Sequence, residues 1–266
     1  TGQKLDMRIR NTITGQGRIL LTGLSALAAR AGISAGIIRL QFPICIKKCF
    51  QSFRTQKRES GSEKMIDTYR IIEKQRLKEI LNNIKNVRVG LIGDISLDVY
   101  WRADMTKSEL SRETPHYPLP VVEEWMSPGA GGNAAANIAA LKPAEIKVVS
   151  LTGRDWRGAE LIRLLKKSGI NTKGIIKSKE YVTNAYCKPL RKGISDLEYE
   201  DPRIDFCNYM MPLQHDEENL IKILDEICRE VDVLCVSDQF EYGCITPAVR
   251  DKIVEVARNG LTVVVD

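Results

Sequence analysis

A chain of 266 residues, 43% hydrophobic and 28% charged, has an ordinary globular composition and is long enough for one or two domains. This excludes a collagen-like, wholly disordered or disulfide-framework chain. The net charge of +6 is uneven: residues 1–64 carry 12 Lys and Arg against 3 Asp and Glu, and the remainder carries 28 against 31. The main body is therefore mildly acidic, and no nucleic-acid partner is expected.

The apolar stretch from Ile19 to Ile46 is cut by Arg30 and Arg39. Its longest uncharged run, Ile19 to Ala29, is shorter than the ~20 residues a spanning helix needs, so no membrane partner is expected. Arg-rich and acid-poor, this stretch shares the composition of a transit peptide. The alternative is that residues 1–64 are foreign to the native gene product and that Met65 is its start. The expected organisation is a basic, disordered or non-native extension over 1–64, followed by one α/β unit over 65–266. Cys45 and Cys49 could share a helix face, but the two histidines, His116 and His215, lie far from them, and a zinc site lacks ligands. Seven Cys without a C-x-x-C pair read as reduced thiols, hence a cytoplasmic protein.

Regular structure begins after a polar linker over 51–64. Leu77, Ile80, Leu81 and Ile84 predict an amphipathic helix. Val87 to Ile92, closed by Gly93 and Asp94, predicts a buried strand. Beyond Pro143 the pattern alternates. Strands are expected at Ile146–Leu151, Val231–Val236 and Leu261–Val265. Helices are expected at Gly158–Lys167, at Asn219–Arg229, and from the Thr246–Pro247 start to Asn259–Gly260. Apolar strands alternating with helices imply a mostly parallel sheet covered on both faces. Two looser regions, about 99–126 and 181–200, predict a small flap of exposed antiparallel strands.

Two segments carry chemistry. In Pro128-Gly-Ala-Gly-Gly-Asn-Ala-Ala-Ala-Asn137, small residues permit close backbone approach, and Asn133 and Asn137 share a helical face. Carboxamides and backbone N–H groups at a helix start suit sugar hydroxyls or an anion; tight packing with Asn133 as a cap is the plain alternative. Gly129-x-Gly131-x-x-Ala134 also fits a relaxed dinucleotide fingerprint. That reading is disfavoured because no buried strand is expected directly before it, and its acidic partner could only be Asp155. In the second segment, Gly93-Asp94-Ile95-Ser96-Leu97-Asp98, alternation points Asp94, Ser96 and Asp98 the same way at a strand's carboxyl end. Carboxylates there can accept from sugar hydroxyls; a capping turn is the alternative for Asp94.

Gly93-Asp94-x-x-x-Asp98 followed by the Gly/Ala/Asn block resembles the N-terminal half of ribokinase-type (PfkB) carbohydrate kinases, and within them the heptose 7-phosphate kinases. Supporting runs are Leu97-Asp-Val-Tyr-Trp101, Pro118-Leu-Pro-Val-Val122, Leu151-Thr-Gly-Arg-Asp155, Pro202-Arg-Ile-Asp-Phe206 and Val236-Ser-Asp-Gln239. The resemblance spans about Val87 to Asp266. It implies a ribokinase-like α/β fold and sugar contacts from Asp98, Gly131, Gly132 and Asn133, with Asp94 and Asn137 in support. It further implies that the flap acts as lid and as the interface of a homodimer. Lys188, Arg191 and Arg203 are the cations available for a sugar phosphate, although Lys188 and Arg191 also read as solvated flap charge. Asp205 and Asp238 are expected to orient Arg203 or line the cleft. The implied reaction is transfer of phosphoryl from ATP, with Mg2+, to heptose 7-phosphate in ADP-heptose biosynthesis. The alternatives are a fructose- or ribose-type kinase and a non-catalytic sugar-binding protein. Two departures stand out: Pro128–Gly129 replaces the opening Gly pair, and no Gly-Ala-Gly-Asp motif occurs. The expectation is a chain that lacks the catalytic half and is inactive by itself.

Overall fold

The computed structural model describes residues 73–195 and 197–266; the expected extension over 1–64, with Cys45 and Cys49, lies outside them. Helix α1 (Lys74–Ile84) buries Ile80 and Ile84, the inward pair of the predicted stripe. It leads into β1 (Arg88–Gly93) and, across Asp94, into β2 (Ile95–Asp104). A 3-10 turn at Met105–Lys107 follows, then β3 (Val121–Ala130), α2 (Gly131–Ala140), β4 (Glu145–Gly153), α3 (Trp156–Lys167) and β5 (Asn171–Ser178). Next come β6 (Ala185–Lys192), β7 (Glu198–Glu200), β8 (Ile204–Phe206), α4 (Gln214–Cys228), β9 (Val233–Ser237), α5 (Pro247–Arg258) and β10 (Thr262–Val265).

Five parallel strands form the main sheet in the order β10-β9-β1-β4-β5. Their side chains alternate between two cores, as period two requires. Val89, Leu91, Val148, Val233 and Cys235 pack with Ala135, Ile138, Leu161 and Leu165 of α2 and α3. Ile92, Val149, Leu234 and Val236 pack with Leu220, Leu224, Val249 and Ile253 of α4 and α5. Each such Leu or Ile contributes about 1.5–3 kcal/mol by leaving water. The order reverses at β1: the chain moves out through β4 and β5, then returns to β9 on the other side. Doubly wound sheets bind ligands at the carboxyl ends of strands beside such a switch point, here the tips of β1 and β9.

The flap is a second sheet, β3-β2-β6-β7, with β8 also on β6. It differs from the expected exposed antiparallel strands in two respects. β2 and β6 pair in parallel, because the main-sheet elements between them return the chain to the same end. One flap face is buried: Leu97, Val99, Ala185 and Cys187 pack into the core over α2 and α3. A strand does precede the glycine block, since β3 runs directly into α2, but it is exposed or half-buried over most of its length, so no buried strand stands there, as expected. That strand is antiparallel to β2, so the dinucleotide βαβ context is still lacking. β5 had no counterpart in the sequence reading.

Candidate functional site

The site begins at Asp94, which is 2% exposed at the switch point. Its carboxylate accepts from the backbone N–H groups of Gln239 (2.9 Å), Phe240 (2.8 Å) and Cys244 (2.8 Å), drawing the β9–α5 loop onto the tip of β1. Its carbonyl accepts from Gly131 N–H at 2.8 Å, fixing the first turn of α2. Burial pushes the Asp94 carboxyl above the usual range, against three backbone hydrogen bonds that favour the anion. Its oxygens are thus committed to backbone, so Asp94 shapes the site and supports it from beneath. Small residues surround it. A Cβ on Gly243 would fall well inside 3.0 Å of the Asp94 carboxylate, and one on Gly131 would meet the Asp94 carbonyl at 2.7 Å. Gly132 is equally buried, against Pro128 and Ile95.

Asp98 lies four residues further along, on β2, and its side chain and that of Ser96 both approach Gly129, the shared face that alternation predicts for this pair. Its Oδ2 accepts from Lys188 Nζ at 3.0 Å, and the same ammonium donates to Tyr100 Oη at 3.1 Å while sitting 4.6 Å from that ring's centre. The pair is largely enclosed, with side-chain exposures of 12% for Lys188 and 15% for Asp98. Burial would lower the Lys188 pKa, but Tyr100 and Asp98 outweigh it and raise the value. Beside the pair, Tyr100 stacks on Trp125 (5.0 Å, 2° between planes), and the Arg102 guanidinium lies 5.0 Å from the centre of the Trp125 ring. Asp98 Oδ1 faces the strand that enters α2, only 2.7 Å from where a Cβ on Gly129 would stand, and beside the buried, unpartnered Ser96 hydroxyl. Gly131, Gly132 and Asn133 make the first turn of α2 immediately after this strand end. Asn133 is exposed there, and its Oδ1 accepts from Asn137 Nδ2 at 3.3 Å.

On the neighbouring strands, Arg203 grips Asp205 through two bonds of 2.6 and 2.7 Å and lies 4.4 Å over the Tyr186 ring. The Asp205 carboxylate raises Arg203 above its already high pKa, and burial pushes the Tyr186 phenol up to about 12. Tyr186 is in register with both Asp98 and Asp205, and Phe240 of the Asp94-held loop meets its edge at 6.3 Å. One flap face therefore brings together Asp98, Lys188, Arg203 and Asp205.

Two expected residues lie elsewhere. Arg191 has the opposite strand parity to Lys188 and pairs with Asp201 at 2.9 Å. Asp238 turns to α5 and pairs with Arg250 at 2.7 Å. Conversely, the sequence reading left out Tyr100, Trp125, Tyr186 and Phe240. Tyr100 shares its parity with Asp98, and Tyr186 with Lys188, so alternation could have drawn in both; nothing local marks Phe240. Among the described residues no group of three or more His, Cys, Asp or Glu could hold a metal ion, and no helix is long and apolar enough to cross a membrane.

A parallel sheet with a flap, and a glycine-started helix following a strand that pairs with the carboxylate strand, make a ribokinase-like α/β fold. A candidate sugar kinase from Clostridium perfringens shares the fold, with a TM-score of 0.50 at 16% identity over 68% of this chain and 51% of that one. No family model matches the chain. In sequence it is similar to bifunctional HldE proteins: 29% identical over 198 residues to that of Citrifermentans bemidjiense, covering 73% of this chain and 38% of the relative. The corresponding protein of Pasteurella multocida is 30% identical over 179 residues, covering 66% and 34%. The chain thus spans about a third of the length of these curated relatives.

Proposed function

We propose that this chain forms the sugar-binding part of a cytoplasmic kinase that phosphorylates a sugar phosphate, heptose 7-phosphate at its anomeric hydroxyl, toward ADP-heptose. The observation that carries this is the juxtaposition of an acceptor and cations on one flap face. Asp98 stands against Gly129, two residues ahead of α2, with Lys188 beside it and Arg203 just before β8, over the Tyr186 ring. Asp98 accepts from ring hydroxyls. The first turn of α2 adds the backbone N–H groups and positive end that favour oxygen-rich ligands. Arg203 spends one edge of its guanidinium on Asp205, which holds it in place, and keeps its remaining N–H donors for a phosphate oxygen. Similarity to the HldE proteins favours a heptose phosphate over other sugar phosphates.

In this reading the residues described here bind and orient the acceptor and exclude water under the flap. ATP with Mg2+ would supply the phosphoryl group and its charge neutralisation. The test is calorimetric titration of heptose 7-phosphate into the chain and its Arg203→Ala variant. Loss of about tenfold in affinity, with no loss for a phosphate-free sugar, is expected for a charge-assisted phosphate contact. Equal affinities for the two proteins would refute the assignment.

A further inference from the structure

Resting on this reading of the site, the geometry points to Lys188 as an internal stopper that makes the sugar site select for ligands bearing their own anion. Lys188 does not wait in solvent for a phosphate. Its ammonium already occupies Asp98 Oδ2 at 3.0 Å and Tyr100 Oη at 3.1 Å, in a largely enclosed position over the Tyr100 ring. The Oδ2 of Asp98, one of the two oxygens able to receive ring hydroxyls, is therefore paired and covered.

A neutral sugar can reach that oxygen only by breaking the pair, which strands a desolvated ammonium. A sugar phosphate offers an exchange. The ammonium passes from carboxylate to phosphate, one charge-assisted hydrogen bond replaces another, and Asp98 becomes available to hydroxyls. The long flexible stem of Lys allows the swing. Arg203 is not a substitute, because two oxygens of Asp205 and the Tyr186 face fix its fork. Selectivity for a phosphorylated sugar then comes from a cost imposed on the wrong ligand as well as from contacts to the right one.

The experiment is calorimetry on the full chain with heptose 7-phosphate and with the phosphate-free heptose, for the natural protein, Lys188→Met and Tyr100→Phe. Met keeps the aliphatic stem against Tyr100 and removes the charge. Phe keeps the ring stack with Trp125 and removes one of the two anchors. The natural protein should prefer the phosphate ester by about a hundredfold. Lys188→Met should shrink that preference to below about tenfold, by binding the neutral sugar more tightly as well as the ester more weakly. Tyr100→Phe should shift neutral-sugar affinity in the same direction by less, and its thermal melt should match the parent's. If Lys188→Met weakens the ester and leaves the neutral sugar unimproved, Lys188 is a plain phosphate ligand and the stopper is overturned while the sugar-phosphate reading stands. If the natural protein binds both sugars equally, the stopper is overturned as well. If it binds neither, the underlying reading fails first. Should Lys188→Met not fold, Tyr100→Phe alone decides, because unchanged neutral-sugar affinity in that variant contradicts the stopper.

Discussion

Replacing Asp94 tests how the site is assembled, because one buried carboxylate holds three elements together. In Asp94→Ala the N–H groups of Gln239, Phe240 and Cys244 lose their acceptor, the Cys244 bond being buried and the other two part-buried. Each stranded donor costs about 1–3 kcal/mol. Releasing the anion from burial offsets part of the sum, leaving a loss of about 3–5 kcal/mol. For a domain of this size that is a melting temperature lower by roughly 10 °C. Asp94→Asn keeps one oxygen for Gln239 and Phe240 but turns an amide against the Cys244 N–H, so about 1–2 kcal/mol should go. The sign of the pH dependence follows from the raised carboxyl. The folded protein holds this proton more tightly than the unfolded chain does. The stabilising contribution is therefore full below the ordinary carboxylate value and is lost as pH rises through the raised folded value, and Asp94→Asn removes this dependence. Urea unfolding followed by far-UV circular dichroism, between about pH 4 and pH 8, measures both effects. An Asp94→Ala loss below about 1 kcal/mol would refute the claim that this carboxylate fastens the β9–α5 loop.

Gly243→Ala pushes a methyl into the same carboxylate and should destabilise by about 2 kcal/mol or more in the same urea assay. Ala130, which ends β3 ahead of α2, has φ 51° and ψ −134°, a region that favours glycine. Ala130→Gly should therefore raise stability by about 1 kcal/mol in thermal melts, the strain relieved exceeding the entropy that Gly adds to the unfolded chain. Burial alone would raise the Asp155 carboxyl, but N–H groups of Gly158 and Thr183 and the Arg157 guanidinium outweigh it and hold it below its usual value. Its contribution is present above the ordinary carboxylate range and lost as pH falls through the lowered folded value, so acid unfolding should begin at higher pH in Asp155→Asn.

Local chemistry made much of the fold legible. Thr246 and Pro247 announce a helix start, and the Thr246 hydroxyl does accept from Val249 N–H. Apolar runs such as Val231–Val236 announce buried parallel strands, here β9. β5 escaped because it is an edge strand whose lysines and Asn171 interrupt its few apolar residues, Ile175 and Ile176. Parallel pairing of β2 with β6 is a property of the whole chain path. It joins Asp98 to Lys188 across 90 positions, and no local pattern encodes it. Parity along β6 could have set Arg191 apart from Lys188. The turn of Asp238 toward Arg250 depends on where α5 lies, which the strand end alone does not specify.

The central claim is that the flap face, the β1 tip and the start of α2 form one pocket for a phosphorylated sugar. A crystal structure of the chain with bound heptose 7-phosphate tests it most directly. Ring hydroxyls should lie on Asp98 and the Gly131–Asn133 turn, with the phosphate at Lys188 and Arg203. Sugar bound elsewhere, for instance in the 360 Å³ hollow between Lys142, Glu145, Ser168 and Asn171 at the far ends of α2 and α3, would contradict it.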